Sequence, residues 1–497
     1  MSREIITIQV GRTGNNIAHE FWRNICQEHQ IDFDKGRGRF VGGENSGLMD
    51  NAGVFFDEGK DGRYVPRTLL CDLNISDLEQ ITSDRLGSLY RPEMVIANDE
   101  GSGNCYAKAF HTEGPDLADR MLDQIRQEVE KCNCLQGLQF MHSMGGGTGS
   151  GLTGLLMKAT TDYLDRGGKC IMQSISTVPS PGFADIVLEV YNASLGIQDA
   201  LEYCDQVFLH DNAALNRICK NTLRIETPRF NQMNALVGLE VAGLTSSLRF
   251  PGIRNADLRK MHTNLVPFKN AHFLMTGFAP LAAESTGEYR KFSVYDLAQR
   301  MLTKENVSLT CDPLKKAGPS GPAARALASF AAFRGDFSPA EVDEVLTDLQ
   351  RSGSHFDRIF PDWIPCSISQ SICSTPHPDL GNCVTYASNN TAIHEVFDRL
   401  GSDWDKMFQV KSHLHVYEKD GLHQNDLLEA RNVLRYLGDQ YKDYSRWEDK
   451  LLENKVGPEG FRKVNDNAAG NDEQTKLLDE LSRTRNCYIA NGKEGRA

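Results

Sequence analysis

A glycine-rich run is the part of the sequence best suited to hold a charged ligand. It reads MHSMGGGTGSGLTG over residues 141–154 and carries six glycines in fourteen residues. Glycines let successive backbone N–H groups face an anion, and a helix that follows adds the positive end of its dipole. Thr148 and Ser150 add hydroxyl donors. We therefore interpret the run as a phosphate-binding loop.

Two other interpretations of this run compete with a phosphate cradle. Gly149, Gly151 and Gly154 match the dinucleotide spacing GxGxxG, with Asp165 near the expected acidic position, but the run already begins at Gly145. Glycines also occur where a helix packs closely on a strand, with no ligand involved. A P-loop is excluded, because its lysine is missing.

The segments around the run alternate between strand-like and helix-like patterns. EIITIQV (4–10) is rich in β-branched residues, and Ile17, Phe21 and Ile25 then recur four residues apart, as on one face of a helix. The same unit repeats over about two hundred residues. This alternation predicts an α/β fold with a doubly wound parallel sheet, which binds ligands at the carboxyl ends of its strands.

The pattern changes further along the chain and indicates several domains. We predict a nucleotide-binding domain over residues 1–213 and a second, intermediate α/β domain over 214–388. A C-terminal helical hairpin follows over 389–445, with helices at 404–419 and 423–444. The remaining residues, 446–497, are polar, with ten basic and ten acidic side chains, and we expect them to be partly disordered.

Composition and charge narrow the function classes. The chain has 497 residues and a formal net charge of −13, which disfavours nonspecific binding of nucleic acids or of anionic membrane surfaces. Its thirteen cysteines form no CxxC pair, and neither a signal-peptide pattern nor an apolar run of membrane-spanning length is visible. We therefore expect a reduced, cytosolic protein that binds neither nucleic acid nor membrane.

The sequence GGGTGSG (145–151) is the signature of the tubulin superfamily. The resemblance extends from REIITIQVG at residue 3 to about Tyr444. Segments such as LRFPG and NLVPF resemble beta-tubulin, whereas DNAALNRI and HFLMTG resemble gamma-tubulin. The chain is thus similar to a divergent tubulin nearest to these two. The resemblance implies a tubulin-like GTPase fold and GTP as the ligand.

The resemblance also implies a GTP site assembled from several loops. The positions that match phosphate-binding residues are Gly11, Ser102, Gly103, Asn104, Ser143, Gly145, Gly146, Gly147, Thr148, Gly149, Ser150 and Gly151. Two acids, Asp185 and Glu189, match residues that face the ribose. Asn212 and Asn234 match the asparagines that read guanine, since an amide offers both a donor and an acceptor. Phe230 matches an aromatic residue that stacks on the base.

Two loops depart from the family pattern. In GRTGN, Arg12 stands where tubulins have a glutamine near the phosphates and Mg²⁺, and Thr13 stands where they have a cysteine near the base. In DLN, Asn74 replaces an acid linked to Mg²⁺, which leaves Asp72 and Asn74 as metal candidates. We hypothesise that Arg12 partly substitutes for the metal, so that GTP binds while hydrolysis weakens. The alternative is a site that has lost nucleotide binding.

The resemblance also has implications for the loops through which tubulin subunits contact one another. Tubulins complete GTP hydrolysis with an acid from the next subunit, and the matching position here is Lys260. A protonated lysine is a poor general base, so this chain carries no catalytic residue of its own. Asn255 and Asp257 match the same loop or cap a helix. Tyr289 and Arg290 match key positions of the lateral-contact loop.

These features predict a polymerising subunit of microtubules, with alpha-tubulin as partner and hydrolysis completed at subunit contacts. The alternative is a gamma-tubulin-like factor that nucleates or caps microtubules together with proteins of a nucleating complex. In either case we expect the protein in the cytoplasm, on the cytoskeleton, along microtubules or at their organising centre. A dinucleotide-dependent metabolic enzyme is disfavoured.

Overall fold

The computed structural model describes residues 3–33, 38–43, 47–164, 170–183, 186–281, 292–318, 322–351, 356, 359–361, 364 and 367–453, with only the backbone for 447–453. The chain divides into two compact units, residues 1–445 and 446–497. The first contains the sheet and the loops discussed below. Of the second, the structure describes a helical backbone up to Glu453. The predicted domain limits within residues 1–445 stay a prediction.

Fifteen strands lie in the described part of the chain. They are β1 (Glu4–Val10), β2 (Ile31–Asp32), β3 (Arg39–Phe40), β4 (Phe56–Glu58), β5 (Tyr64–Pro66), β6 (Thr68–Asp72), β7 (Val95–Ala97), β8 (Leu135–Ser143), β9 (Ile171–Val178), β10 (Gln206–Asp211), β11 (Gly252–Arg254), β12 (Phe273–Ala279), β13 (Ala326–Arg334), β14 (Ile368–Cys373) and β15 (Cys383–Asn390).

Eleven of these strands form one sheet. Its order is β11-β14-β13-β15-β12-β10-β9-β8-β1-β6-β7. The seven strands from β12 to β7 run parallel to one another, whereas β15 runs antiparallel to both β12 and β13. The α/β fold class and the parallel sheet in the N-terminal part are therefore confirmed. Because β12 pairs with β10, the sheet continues across residue 213.

Fourteen α-helices connect or follow these strands in the described residues. They are α1 (Gly11–Glu28), α2 (Ile75–Thr82), α3 (Glu113–Lys131), α4 (Thr153–Leu164), α5 (Glu189–Tyr203), α6 (Asn212–Arg217), α7 (Phe230–Leu244), α8 (Ser246–Arg249), α9 (Leu258–Leu265), α10 (Val294–Met301), α11 (Pro339–Gln350), α12 (His394–Gln409), α13 (Leu414–Lys419) and α14 (Gln424–Glu453). None of the helices in this part of the chain combines the length and the apolar character needed to cross a bilayer.

The predicted apolar stripe of α1 lies in the core. Ile17, Phe21 and Ile25 are fully buried, and they pack in one cluster with residues of several helices and strands. The spacing of four residues places these side chains on one helix face, and burial of that face accounts for the helix. The strand predicted before it, residues 4–10, has the observed bounds of β1.

The helix predicted over residues 404–419 is interrupted. α12 ends at Gln409 and α13 begins at Leu414. Between them, Lys411 and His413 have φ values of 51° and 58°, in the left-handed region where a right-handed helix does not continue. The C-terminal helices are present as predicted, but the first one is two helices.

The parallel strands end at one level of the sheet. Val10 lies opposite Cys71, Asp72 opposite Ala97, Ser143 opposite Thr177, and Val178 opposite Asp211. Since parallel strands place their carboxyl ends at the same edge, the loops that follow β1, β6, β7, β8, β9 and β10 all leave from that edge. The predicted nucleotide-binding residues within these loops are thereby brought to one side of the molecule.

Candidate nucleotide-binding site

Several glycines of the run are required by close packing. A Cβ atom on Gly147 would lie 2.5 Å from the backbone nitrogen of Cys105, and one on Gly149 would lie 2.5 Å from the carbonyl oxygen of Ser143. A Cβ atom on Gly151 would lie 2.4 Å from the carbonyl oxygen of Tyr106. Close packing therefore requires these three glycines, although only one of the three neighbours, Ser143, lies in a strand.

Gly146 has a different environment. No heavy atom of the described residues outside its immediate neighbours lies within 4 Å of the position of an added Cβ. The backbone here faces open space, directly after the carboxyl end of β8 and before the π turn Thr148–Leu152 that continues into α4. A single π turn inside a helix is typical of functional sites. The open face at Gly146 suits a ligand that approaches the backbone.

The loop that follows β7 lies against the glycine run. The hydroxyl groups of Ser102 and Thr148 are 3.0 Å apart and share a hydrogen bond. Gly103 and Asn104 are exposed and have φ values of 56° and 57°. Two successive left-handed residues turn the backbone sharply, so that the loop curves beside the run. The structure thus brings Ser102, Gly103 and Asn104 together with the predicted phosphate loop.

The first turn of α1, directly after β1, contacts the same run. Gly11 has a φ of 72°, and a Cβ atom there would lie 3.2 Å from the backbone nitrogen of Gly149. Arg12 is the next residue along the chain. Its side chain is 71% exposed, and its Nε atom lies 3.5 Å from Oδ1 of Asp77. Thr13 is partly buried one residue further along.

The two serines of the run have different surroundings. The Ser143 hydroxyl accepts a hydrogen bond of 3.4 Å from the backbone N–H of Gly145. The Ser150 hydroxyl is buried and donates to the carbonyl oxygen of Gly146 at 2.7 Å. A hydroxyl has one proton to donate, and in this structure that of Ser150 is directed to the helix backbone. The predicted donation from Ser150 to a phosphate stays a prediction.

One of the two predicted ribose-facing acids can be placed. Glu189 begins α5 beside the run, and its Cγ atom would lie 3.3 Å from a Cβ on Gly145. Asp185 lies outside the described residues, as do Tyr289 and Arg290 of the predicted lateral-contact loop.

The predicted base-reading residues lie on neighbouring helices. Asn212 begins α6 directly after β10, and the side chain of Asp211 caps that helix by accepting from the N–H of Ala213 at 2.9 Å. Phe230 begins α7, which packs against α6, and is 53% exposed. Asn234 follows one turn later and is only 7% exposed. An exposed ring and a nearby buried amide are suited to a planar, polar base.

Sequence comparisons decide the family. Residues 4–220 match the Tubulin/FtsZ family, GTPase domain, and residues 270–402 match the tubulin C-terminal domain. The chain is 40% identical to the tubulin beta-6 chain of Gallus gallus over 89% of its own length and 95% of that protein. It is also 40% identical to the tubulin beta-1 chain of Homo sapiens, over 89% and 94% of the two lengths. The chain belongs to the tubulin family. It is a GTP-binding cytoskeletal protein of the tubulin type.

The residues at the end of β6 test whether this tubulin holds Mg²⁺ itself. Asp72 is buried, its Oδ1 accepts from the N–H of Asn74, and its Oδ2 has no hydrogen-bond partner. Burial raises the pKa of Asp72 to about 7, and the nearby Asp77 carboxylate adds to this rise. The side-chain oxygen of Asn74 caps α2 by accepting from the N–H of Ser76.

These residues do not fit a metal ion held directly by the protein. Within the described residues, no three His, Cys, Asp or Glu side chains form a group that could bind a metal. Mg²⁺ prefers six oxygen ligands in octahedral geometry, and of the two metal candidates Asp72 offers one unpartnered oxygen while the side-chain oxygen of Asn74 is engaged in the cap of α2. We therefore derive no step of a reaction through Mg²⁺.

A buried histidine that the sequence analysis did not single out supports the glycine run. His142 lies in β8; its Nδ1 donates to the carbonyl oxygen of Gly149 at 2.7 Å, and its Nε2 lies 2.8 Å from the hydroxyl of Ser174. Burial lowers the pKa of His142 to about 4, so the ring is neutral at physiological pH and Nε2 accepts. A histidine beside a glycine run carries no local signal of this role, because its partners come from other elements.

Arg399 contacts two of the segments that leave the same edge of the sheet. It extends from α12 and donates to the carbonyl oxygen of Pro179 at 3.0 Å, and it lies 3.3 Å from Oδ2 of Asp211. It thus links the loop after β9 to the start of α6, the helix that carries Asn212. The sequence analysis missed Arg399, because its two partners are 220 and 188 residues away along the chain.

The helix that carries Lys260 has ordinary capping geometry. The Oδ1 atom of Asp257 accepts from the backbone N–H of Lys260 at 2.6 Å, and Asp257 also pairs with Arg3. The Nζ atom of Lys260 lies 3.4 Å from the carbonyl oxygen of Asn255 and its side chain is exposed. Of the two interpretations of Asp257, the structure displays the helix cap.

Proposed function

We propose that this tubulin polymerises as a subunit of microtubules, with GTP bound at the glycine run and alpha-tubulin as its partner in the cytoplasm. The similarity over nearly the full length of two beta-tubulins carries this proposal, because polymer contacts draw on surfaces along the whole chain. The open backbone at Gly146 supports the placement of the phosphates.

We further propose how each loop serves the nucleotide. The phosphates lie against the backbone N–H groups around Gly146 and the N-terminal end of the following helix, because partial positive charge is concentrated there. The ring of Phe230 stacks on the base, and the amides of Asn212 and Asn234 read its polar edge. Glu189 accepts from the ribose hydroxyls. The phosphate arrangement needs no lysine.

Hydrolysis depends in this proposal on the neighbouring subunit. The exposed Lys260 offers an amine where the family has an acid, and a protonated lysine is a poor general base for a water molecule. This chain therefore does not trigger hydrolysis on a subunit that meets α9. Its own GTP is hydrolysed only where a partner supplies an acid at the equivalent position.

We also propose that Arg12 supplies positive charge that Mg²⁺ supplies in other tubulins. Its guanidinium is mostly exposed and only loosely paired with Asp77, so it is free to turn toward a phosphate. Arginine forms paired hydrogen bonds with phosphate oxygens. The side-chain oxygen of Asn74 is engaged in the cap of α2, which supports a supply of charge by Arg12 in place of a metal at Asn74.

The variant Arg12→Gln should lower GTP affinity by about 10-fold, the effect of one charge-assisted contact. The affinity of the unchanged protein should fall less than about 3-fold when EDTA removes Mg²⁺. Titration calorimetry with GTP, in EDTA and in MgCl₂, measures both. Arg23→Gln, on the same helix but paired with Glu20, is the matched control and should change neither value. A large loss of GTP affinity in EDTA for the unchanged protein would contradict the proposal that Arg12 supplies the positive charge in place of Mg²⁺.

The polymer role is tested by co-assembly and location. A tagged copy expressed in cells should lie along microtubules and should co-purify with equal amounts of alpha-tubulin. Signal confined to organising centres, with proteins of a nucleating complex in place of alpha-tubulin, would instead support the gamma-tubulin-like role and refute the polymer proposal.

A further inference from the structure

Asn192 joins two of the predicted phosphate loops. It lies on α5 and is fully buried. Its Nδ2 atom donates to the carbonyl oxygen of Asn104 at 2.8 Å and to that of Gly145 at 2.9 Å. Its Oδ1 atom accepts from the backbone N–H of Tyr106 at 3.0 Å. One amide therefore connects the loop after β7 to the loop after β8.

The sheet itself does not hold these loops together. β7 and β8 are separated by β1 and β6 in the strand order, a distance of roughly 14 Å at the usual spacing of neighbouring strands. The loops meet above the sheet edge, where Ser102 contacts Thr148 and Gly147 packs on Cys105. Of these contacts, Asn192 alone comes from a third element and bonds to both loops.

The C-terminal helices fix Asn192 from the other side. The hydroxyl of Tyr417, on α13, donates to Oδ1 of Asn192 at 2.7 Å and is fully buried. The ring of Tyr191 packs edge-on against Tyr417 and against Trp404 of α12, with centroids 5.7 Å and 5.8 Å apart. With Tyr417 bound, the amide of Asn192 uses both of its donor protons and accepts two hydrogen bonds.

We propose that Asn192 is a positioning residue of the nucleotide site, and that Tyr417 holds it, so that α13 keeps the phosphate loops in their binding arrangement. This inference rests on the proposed GTP site. If the two loops are already ordered before GTP binds, no free energy is lost in ordering them on binding, and GTP affinity is higher. Because coupling is reciprocal, GTP in turn stabilises the position of α13.

Two variants remove the opposite ends of this connection. Asn192→Asp retains the size and the acceptor oxygens but loses both donated hydrogen bonds, and GTP affinity should fall by about 30-fold. Tyr417→Phe loses only the hydroxyl that holds Asn192, and affinity should fall by about 5-fold. Titration calorimetry of the full chain with GTP gives the affinities, and urea denaturation gives the free energy of unfolding.

Matched controls separate positioning from a general loss of stability. Asn389→Asp changes another fully buried asparagine, whose Nδ2 donates to the carbonyl oxygens of Leu265 and Ala271. Tyr441→Phe changes another fully buried tyrosine of the C-terminal helices, whose hydroxyl lies 3.3 Å from the carbonyl oxygen of Phe273. Both controls should lower the free energy of unfolding as their counterparts do, yet change GTP affinity by less than about 2-fold.

Amide hydrogen exchange supplies a second readout. GTP should slow exchange over residues 414–419 in the unchanged protein, and this protection should be absent in Tyr417→Phe. If GTP affinity follows the free energy of unfolding along one line for all four variants, and α13 gains no protection, the positioning role is refuted. If the unchanged protein does not bind GTP at all, the proposed function fails, and this inference fails with it.

Discussion

Replacing Gly146 by alanine is expected to lower GTP affinity by about 100-fold or more without weakening the fold. The new methyl group would project into the open space where the phosphates are proposed to lie, because no described heavy atom beyond the adjoining residues is within 4 Å of it. The φ of Gly146 is outside the left-handed region, so alanine adopts the same backbone. Loss of glycine flexibility in the unfolded chain should even add up to about 1 kcal/mol of stability.

Two other alanine variants make this result specific. Gly147→Ala places its methyl group against backbone atoms of Cys105, and overpacking of this kind should cost about 1–3 kcal/mol of unfolding free energy. Gly43→Ala also places its methyl group where no described heavy atom beyond the adjoining residues lies within 4 Å, remote from the glycine run in sequence; it should leave GTP affinity unchanged and add no more than the same gain of about 1 kcal/mol in stability. Thermal unfolding and GTP titration of all three variants measure the two effects. Unchanged GTP affinity in Gly146→Ala would place the phosphates elsewhere.

Asp199→Asn should stabilise the protein at alkaline pH and have little effect in acid. Asp199 lies on α5, and the Tyr106 hydroxyl donates to its carboxylate at 2.7 Å. Burial raises the pKa of Asp199 from its ordinary 3.8 to about 7, the Tyr106 hydrogen bond opposes this rise, and Glu202 adds to it. The pKa of Asp199 is higher in the folded protein than in the unfolded chain. Its protonation therefore contributes to the free energy of unfolding in full below about pH 4, and this contribution is lost as the pH rises through about 7.

The amide introduced by Asp199→Asn carries no charge that folding would remove from water, and its oxygen can accept the same hydrogen bond from Tyr106. At about pH 8 the variant should therefore exceed the unchanged protein by up to about 4 kcal/mol in unfolding free energy, and the difference should vanish near pH 4. Urea denaturation at several pH values across this range measures it. Asp119→Asn removes an exposed carboxylate on α3 and serves as the control for the loss of one negative charge. A constant difference for Asp199→Asn would refute the raised pKa.

Local patterns were sufficient for much of the fold. The bounds of β1 and the buried face of α1 followed from β-branched runs and from the spacing of Ile17, Phe21 and Ile25, because these patterns report burial on one face of one element. The interruption between α12 and α13 was not predicted. Lys411 and His413 adopt left-handed conformations there, although neither is a glycine or an asparagine that would mark such a turn.

Predicted site residues that one loop carries are found close together in the structure, and their role in binding GTP stays a prediction. The glycine run, Gly11 and Ser102 lie together, but their spacing did not distinguish the glycines that pack from Gly146, which is open. Asn192, His142 and Arg399 act through partners on distant elements, so no spacing along the chain indicates them. The pairing of β12 with β10 depends on such long-range contacts as well.

The nucleotide that the native protein carries tests the central claim most directly. The full-length chain, purified without added nucleotide and then denatured, should release guanine nucleotide at close to one molecule per chain on anion-exchange chromatography. Titration calorimetry of the emptied protein should then show GTP binding, with ATP weaker by at least about 100-fold because the adenine edge mismatches Asn212 and Asn234. Release of NAD or of adenine nucleotide, or failure of the emptied protein to bind GTP, would contradict the assignment of GTP to this site.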